Sequence, residues 1–170
     1  MERELLLLGF LRREQAHGYR LNEFIERDMA ACTDIKKPTA YFLLDKMTKL
    51  GWITMRETRE GNRPPRHVYR LTAKGEAQYQ TLLRENLASF MASKFPGDVG
   101  LAYADDLTPQ EVLPLLAERQ AALVAQLEET RQVPRHAGSL QLIVDHQLFH
   151  LEGELHWLDQ VIAQFKDKKR

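Results

Sequence analysis

The sequence predicts a mainly α protein with one small β-hairpin, and three observations predict it. Apolar residues recur at helical spacing through most of the 170 residues. One stretch, 52–71, changes instead to an alternating pattern rich in aromatic and β-branched residues, broken in its middle by Gly and Pro. Beyond residue 107 two long amphipathic segments follow, joined by a short polar loop. The composition agrees, with 44% hydrophobic and 28% charged residues, the balance of a globular chain that buries a core without staples.

The elements follow in order. Residues 2–14 form a helix with Leu5, Leu8 and Leu11 on one face. Gln15-Ala16-His17-Gly18 breaks it, and Tyr19 to Arg27 makes a second helix with Leu21, Phe24 and Ile25 inward. After polar Thr33–Lys37, Pro38 suits the first turn of a third helix, where its missing N–H has no partner to lose. That helix runs to about Leu50 with Ala40, Leu43, Leu44, Met47 and Leu50 inward, and Gly51 stops it. Residues 52–58 and 67–71 read as two strands around the tip Glu60-Gly61-Asn62-Arg63-Pro64-Pro65.

A long helix is expected from Thr72 to about Lys94, then a connector over 97–107. Thr108-Pro109-Gln110-Glu111 is a capping box with proline at the first helical position. The helix it starts reaches about Thr130, with Pro114 expected to kink or loosen its early turns. Ser139 is placed to cap a last helix, and the tail 166–170 is expected to fray. The division is 1–75, 76–96 as a connecting helix, and 97–170. Three short helices before a basic hairpin have the order of a winged helix-turn-helix, followed by an antiparallel helical dimerisation domain.

Charge separates the two halves. The net charge is zero, yet residues 1–75 hold 15 Lys/Arg against 10 Asp/Glu, a net of +5, and residues 76–170 hold 9 against 14, a net of −5. Within 36–74 there are 10 basic and 3 acidic residues, a net of +7. Such asymmetry points to a polyanion at one end. The outward side of the third helix carries Thr39, Phe42, Asp45, Lys46 and Lys49, with Lys36 and Lys37 before it and Tyr41 at its border. The hairpin adds Arg59, Arg63 and Arg66. In a helix-turn-helix the second helix enters the major groove, where lysine reaches phosphate or guanine, and Thr or Phe meets thymine methyls. A proline-stiffened basic tip suits a phosphate backbone or narrow minor groove. The competing reading is a solvated basic face, or a protein-interaction module, which Phe42 and Asp45 favour.

The residues then become recognisable. Leu8-Gly9-Phe10-Leu11, His17-Gly18-Tyr19-Arg20-Leu21, Thr39-Ala40-Tyr41-Phe42-Leu43-Leu44-Asp45-Lys46-Met47 with Gly51-Trp52-Ile53, and Arg66-His67-Val68-Tyr69-Arg70-Leu71-Thr72 with Gly75 together resemble the PadR-like transcriptional regulators. The resemblance covers about residues 3–80. Phe42 stands where that family usually has proline, and Thr48 where an acidic residue is common. Residues 101–165, best in Glu154-Leu155-His156-Trp157-Leu158-Asp159, more loosely resemble the C-terminal domain of the virulence-activator-like branch.

A single winged helix makes few phosphate contacts, and a two-fold dimer doubles them on a pseudo-palindromic double-stranded operator. The stripe Leu140, Val144, Leu148, Leu151, Leu155, Leu158 and Ile162 is the expected dimer face, with packing inside one chain as the alternative. The resemblance implies the same homodimer, a repressor role, and relief by a small hydrophobic or phenolic effector. Tyr103, Phe149, His150, His156 and Trp157 either line such a site or serve only core and interface packing.

Other functions find no support in the residues. There is no Gly-rich phosphate loop, no Gly-x-Ser-x-Gly and no His-Glu-x-x-His, so no enzyme and no cofactor is expected. His146, His150 and Glu154 share a helix face with metal-ligand spacing, but solvated or interface histidines are the preferred reading. Cys32 is the one cysteine, which excludes an intrachain disulfide and fits a reducing compartment. The apolar run Leu5–Leu11 is too short for a signal peptide and lacks a cleavage site, so the expected location is the cytoplasm, with no membrane role.

Overall fold

Leu7, Leu8, Phe10 and Leu11 are buried along one side of the first helix, α1 (Glu2–Arg13), and around them the N-terminal core condenses. The computed structural model describes residues 1–13, 16–17, 35–59 and 66–168. The expected helix Tyr19–Arg27, the hairpin tip with Arg63, and Cys32 lie outside the described residues.

Ala16–His17 form a two-residue strand, β1, where the sequence suggested only a break. They pair antiparallel with Tyr69 and Val68 of β3 (Arg66–Leu71), giving a sheet of order β1-β3-β2, with β2 spanning Ile53–Thr58. The open edge of β3 presents N–H and C=O groups that need partners, and the segment after α1 supplies them. In the hairpin Ile53 faces Leu71 and Met55 faces Tyr69.

Helix α2 (Lys37–Lys49) buries Ala40, Leu43, Leu44 and Met47 against this core. It stops as expected: Gly51 adopts φ +72°, a left-handed conformation that a Cβ would oppose. The Trp52 N–H then donates to the Met47 carbonyl at 2.9 Å, which turns the chain straight into β2.

Helix α3 (Ala73–Ala88) starts with the Thr72 hydroxyl accepting from the Gly75 N–H at 3.0 Å. It packs on α1, where the Arg12 guanidinium meets the Glu76 carboxylate at 2.9 Å and lies 5.4 Å from the Tyr79 ring centre. It ends well short of the expected Lys94. The Ser89 hydroxyl donates to the Asn86 carbonyl at 2.8 Å, competing with the helical ladder. Beyond it Phe90 and Met91 are exposed, so no packing sustains further turns.

The chain divides into two compact units, Met1–Ala92 and Ser93–Arg170. In the second, the expected connector holds a short helix α4 (Asp98–Ala102) and a 3-10 turn (Ala104–Asp106), with Ala104 buried. Helix α5 (Pro109–Arg131) begins at the predicted capping box: the Glu111 carboxylate accepts from the Thr108 N–H at 2.8 Å and its hydroxyl at 2.7 Å. These bonds hold the Glu111 carboxyl below the usual carboxylate range. Pro114 sits on an exposed side without ending the helix.

Helix α6 (Leu140–Asp167) packs back on α5. Ser139 does not cap it. Its backbone is already helical (φ −66°, ψ −17°) and its hydroxyl caps nothing. Val112 and Leu116 of α5 join Leu158, Ile162 and Phe165 of α6 in the second core. Among the described residues, no helix is long and apolar enough to cross a membrane.

Candidate nucleic-acid interface

Burying Ala40, Leu43, Leu44 and Met47 obliges the rest of α2 to face outward. Lys36, Lys37, Tyr41, Phe42, Asp45, Lys46 and Lys49 are all exposed, and Thr39 is half-buried. Lys36 occupies the N-cap position in extended conformation, so α2 presents its N-terminal N–H groups between two lysines. Phe42 is 68% exposed at the centre of this face. Beneath the helix, Tyr69 of β3 is buried. Burial, then the nearby Tyr41 and Asp45, raises its hydroxyl above the ordinary tyrosine range.

The hairpin beside α2 carries Arg59, exposed just past β2, and Arg66, which its backbone places at the start of β3. Helix face, helix N-terminus and hairpin are therefore brought together on the N-terminal unit.

The sequence did not anticipate what the α2 lysines touch. Lys46 Nζ lies 3.0 Å from Glu4 Oε1 of α1, and Lys49 Nζ lies 2.6 Å from Asp45 Oδ2. The other Glu4 oxygen holds the α-amino group of Met1 at 2.8 Å. Asp45–Lys49 has the i,i+4 spacing that a sequence can signal. Glu4–Lys46 has no such signal, since 42 positions separate the two residues.

Burial pushes the Glu4 carboxyl upward, but hydrogen bonds from the α-amino group, Lys46 and the backbone outweigh it and hold it at about 2, against an ordinary 4.5. A depressed carboxylate pKa contributes stability that is complete above pH 4.5 and lost as pH falls from there toward 2. Glu4→Gln is therefore expected to lower unfolding stability at pH 7 and to flatten this part of the acid decline. Urea midpoints of both proteins between pH 7 and pH 2.5 check it; parallel curves would refute the linkage.

Two residues of the expected dimer stripe are buried within the second unit. Leu158 is 0% exposed and Ile162 9%, both packed with Val112 and Leu116 of the same chain. Leu140, Val144, Leu148, Leu151 and Leu155 are half-buried on that same side of α6. The C-terminal end of the stripe thus joins the intrachain core, while Leu140 to Leu155 keep part of their surface uncovered within the chain. The outward side of α6 instead exposes Leu142 and Phe149, the latter by 76%.

The expected effector residues are dispersed. Tyr103 is exposed on the segment between α4 and the 3-10 turn. Trp157 packs against the second core under the Arg119 guanidinium, 5.4 Å from its ring centre. Phe149 precedes it by about two turns of the same helix. His150 stacks on His146 with centroids 5.8 Å apart, while His156 Nε2 lies 3.0 Å from Gln160 Nε2. Among the described residues, no group of three or more His, Cys, Asp or Glu side chains is arranged to hold a metal ion.

Residues 7–81 match the family model described as the transcriptional regulator PadR-like family. No curated protein matches the chain. Among solved structures, PadR of Bacillus subtilis in complex with operator DNA is similar over 95% of this chain and 98% of that one, at 20% identity and a TM-score of 0.82. The same protein in complex with p-coumaric acid is similar over 96% and 98%, at 20% identity and a TM-score of 0.79. The Vibrio cholerae virulence activator AphA is similar over 98% and 99%, at 15% identity and a TM-score of 0.74. At these identities the likeness establishes the fold across both units.

Proposed function

We infer that this chain, a member of the PadR-like family of transcriptional regulators through residues 7–81, is a DNA-binding regulator that sets α2 in the major groove and lays its hairpin along the adjoining backbone. It is not an enzyme. The observation that carries the reading is the outer face of α2, where Tyr41, Phe42, Lys46 and Lys49 stand exposed behind an N-terminus flanked by Lys36 and Lys37. Phosphate contacts from Lys36, Lys37 and the hairpin arginines position the protein, and Thr39, Phe42, Lys46 and Lys49 read base edges.

The regulator acts as a homodimer on a pseudo-palindromic operator. Supporting this are exposed large apolar side chains in each unit, Leu87, Phe90 (91% exposed) and Met91 in the first, Leu142 and Phe149 in the second. It works as a repressor relieved by a small hydrophobic or phenolic molecule. The Bacillus relative solved with p-coumaric acid supports that reading; Tyr103, Phe149, His150, His156 and Trp157 are the residues proposed to meet the molecule.

Fluorescence anisotropy with DNA from upstream of the protein's own gene, against scrambled DNA across a salt series, tests the reading. Tighter binding to the upstream DNA, falling steeply with salt, is expected. Arg63→Ala is expected to weaken it roughly fivefold and to reduce the salt slope by about one. An exposed Phe42 beside Asp45 favours the second reading, a protein-interaction module; binding to neither DNA even at low salt would select it.

A further inference from the structure

On a face built to meet a polyanion, Lys46 and Lys49 of α2 already hold carboxylates of their own chain. The two pairs differ in kind. Asp45–Lys49 joins two exposed side chains one turn apart, free to open and close. Glu4–Lys46 is anchored on one side. The Glu4 carboxylate is mostly covered and tied to the α-amino group at 2.8 Å, whereas Lys46 is about half exposed. Glu4 is a fixed anion, and Lys46 is the partner able to leave.

We propose that Glu4 and Asp45 determine specificity for operator over other DNA by neutralising Lys46 and Lys49 until an acceptor on the right base edge displaces them. This rests on the DNA-binding reading above. Non-specific attraction is Coulombic and acts across a hydrated gap comparable to the screening length, about 8 Å at physiological salt. Over that distance a lysine paired within about 3 Å to a carboxylate acts as a dipole and contributes little. A base-edge contact works at hydrogen-bond distance, where two acceptors such as guanine O6 and N7 offer a fixed geometry that replaces the carboxylate. The internal pairs therefore weaken the indiscriminate interaction more than the specific one. Lys36, at the N-cap ahead of the helix, lies outside these two pairs and supplies general attraction.

Glu4→Gln and Asp45→Asn, made separately and together, test this in the anisotropy assay with upstream and scrambled DNA. Affinity for scrambled DNA is expected to rise roughly tenfold in the double variant at low salt, with a steeper salt slope. Affinity for the upstream DNA rises less, so the ratio between them falls at least roughly threefold. Thermal melts check that Glu4→Gln stays folded; Asp45→Asn alters only an exposed helix position and carries the test if it does not. An unchanged or improved ratio, in variants of a wild type that discriminates, overturns the proposal and leaves the DNA-binding reading standing. A wild type that binds neither DNA overturns that reading itself.

Discussion

Gly75→Ala is expected to destabilise the N-terminal unit by about 3 kcal/mol or more, the upper range for forcing atoms into a packed site. A Cβ on residue 75 would stand 2.0 Å from the Trp52 carbonyl oxygen, 2.9 Å from its carbon and 2.7 Å from Leu71 Cδ1. Neither side can move cheaply. The Trp52 carbonyl accepts from the Thr72 N–H at 3.0 Å and from the Thr72 hydroxyl at 2.9 Å, while the Trp52 N–H is bonded to Met47. Relieving the clash therefore loosens, at one point, the end of α2, the start of β2 and the first turn of α3. At this chain length the loss corresponds to a melting temperature lower by roughly 10 °C. Circular dichroism melts read it directly, and an alanine variant melting with wild type would show that the close approach is wrong.

The second large effect separates core from surface on α6. Leu158→Ala removes a fully buried side chain from the seam with α5, and large-to-small changes at such sites cost about 3 kcal/mol. Phe149→Ser, nine positions earlier on the outward side, removes an exposed ring and is expected to leave the unfolding of the isolated chain within about 0.5 kcal/mol. Under the homodimer reading Phe149→Ser instead weakens self-association. Urea unfolding and sedimentation of the two variants distinguish the roles. A Leu158→Ala protein that is stable but monomeric would mark the stripe itself as the dimer face.

The two predictions rest on information of different reach. Gly75 was singled out only as part of a family pattern; nothing within a few residues of it says why glycine stands there. The reason is the Trp52 carbonyl, brought close only once the hairpin has closed. On α6, heptad-like spacing showed correctly that Leu140 through Ile162 form one apolar side. Periodicity states that a side is buried, not whether the same chain or another copy buries it.

What the amino-acid order determined by itself was the sequence of elements across the described residues: α1, the helix from Pro38 stopped by Gly51, the hairpin, and the capped pair of long helices. Helical and strand periods, a glycine at φ +72° and a Thr108–Glu111 box all act within a few residues, so they are written locally. Also legible were the basic N-terminal part and the outward set on α2, because burial of one helix side assigns the other.

Tertiary structure alone decided the rest. It added β1, since a two-residue strand exists only by virtue of the edge it pairs with. It ended α3 at Ala88, because a helix persists only as far as something packs on it. It buried Leu158 and Ile162 against α5, and it placed Glu4 against Lys46. Apart from the end of α3, where packing is lacking, each of these is a meeting of groups far apart in sequence, and local propensity carries no record of such a partner.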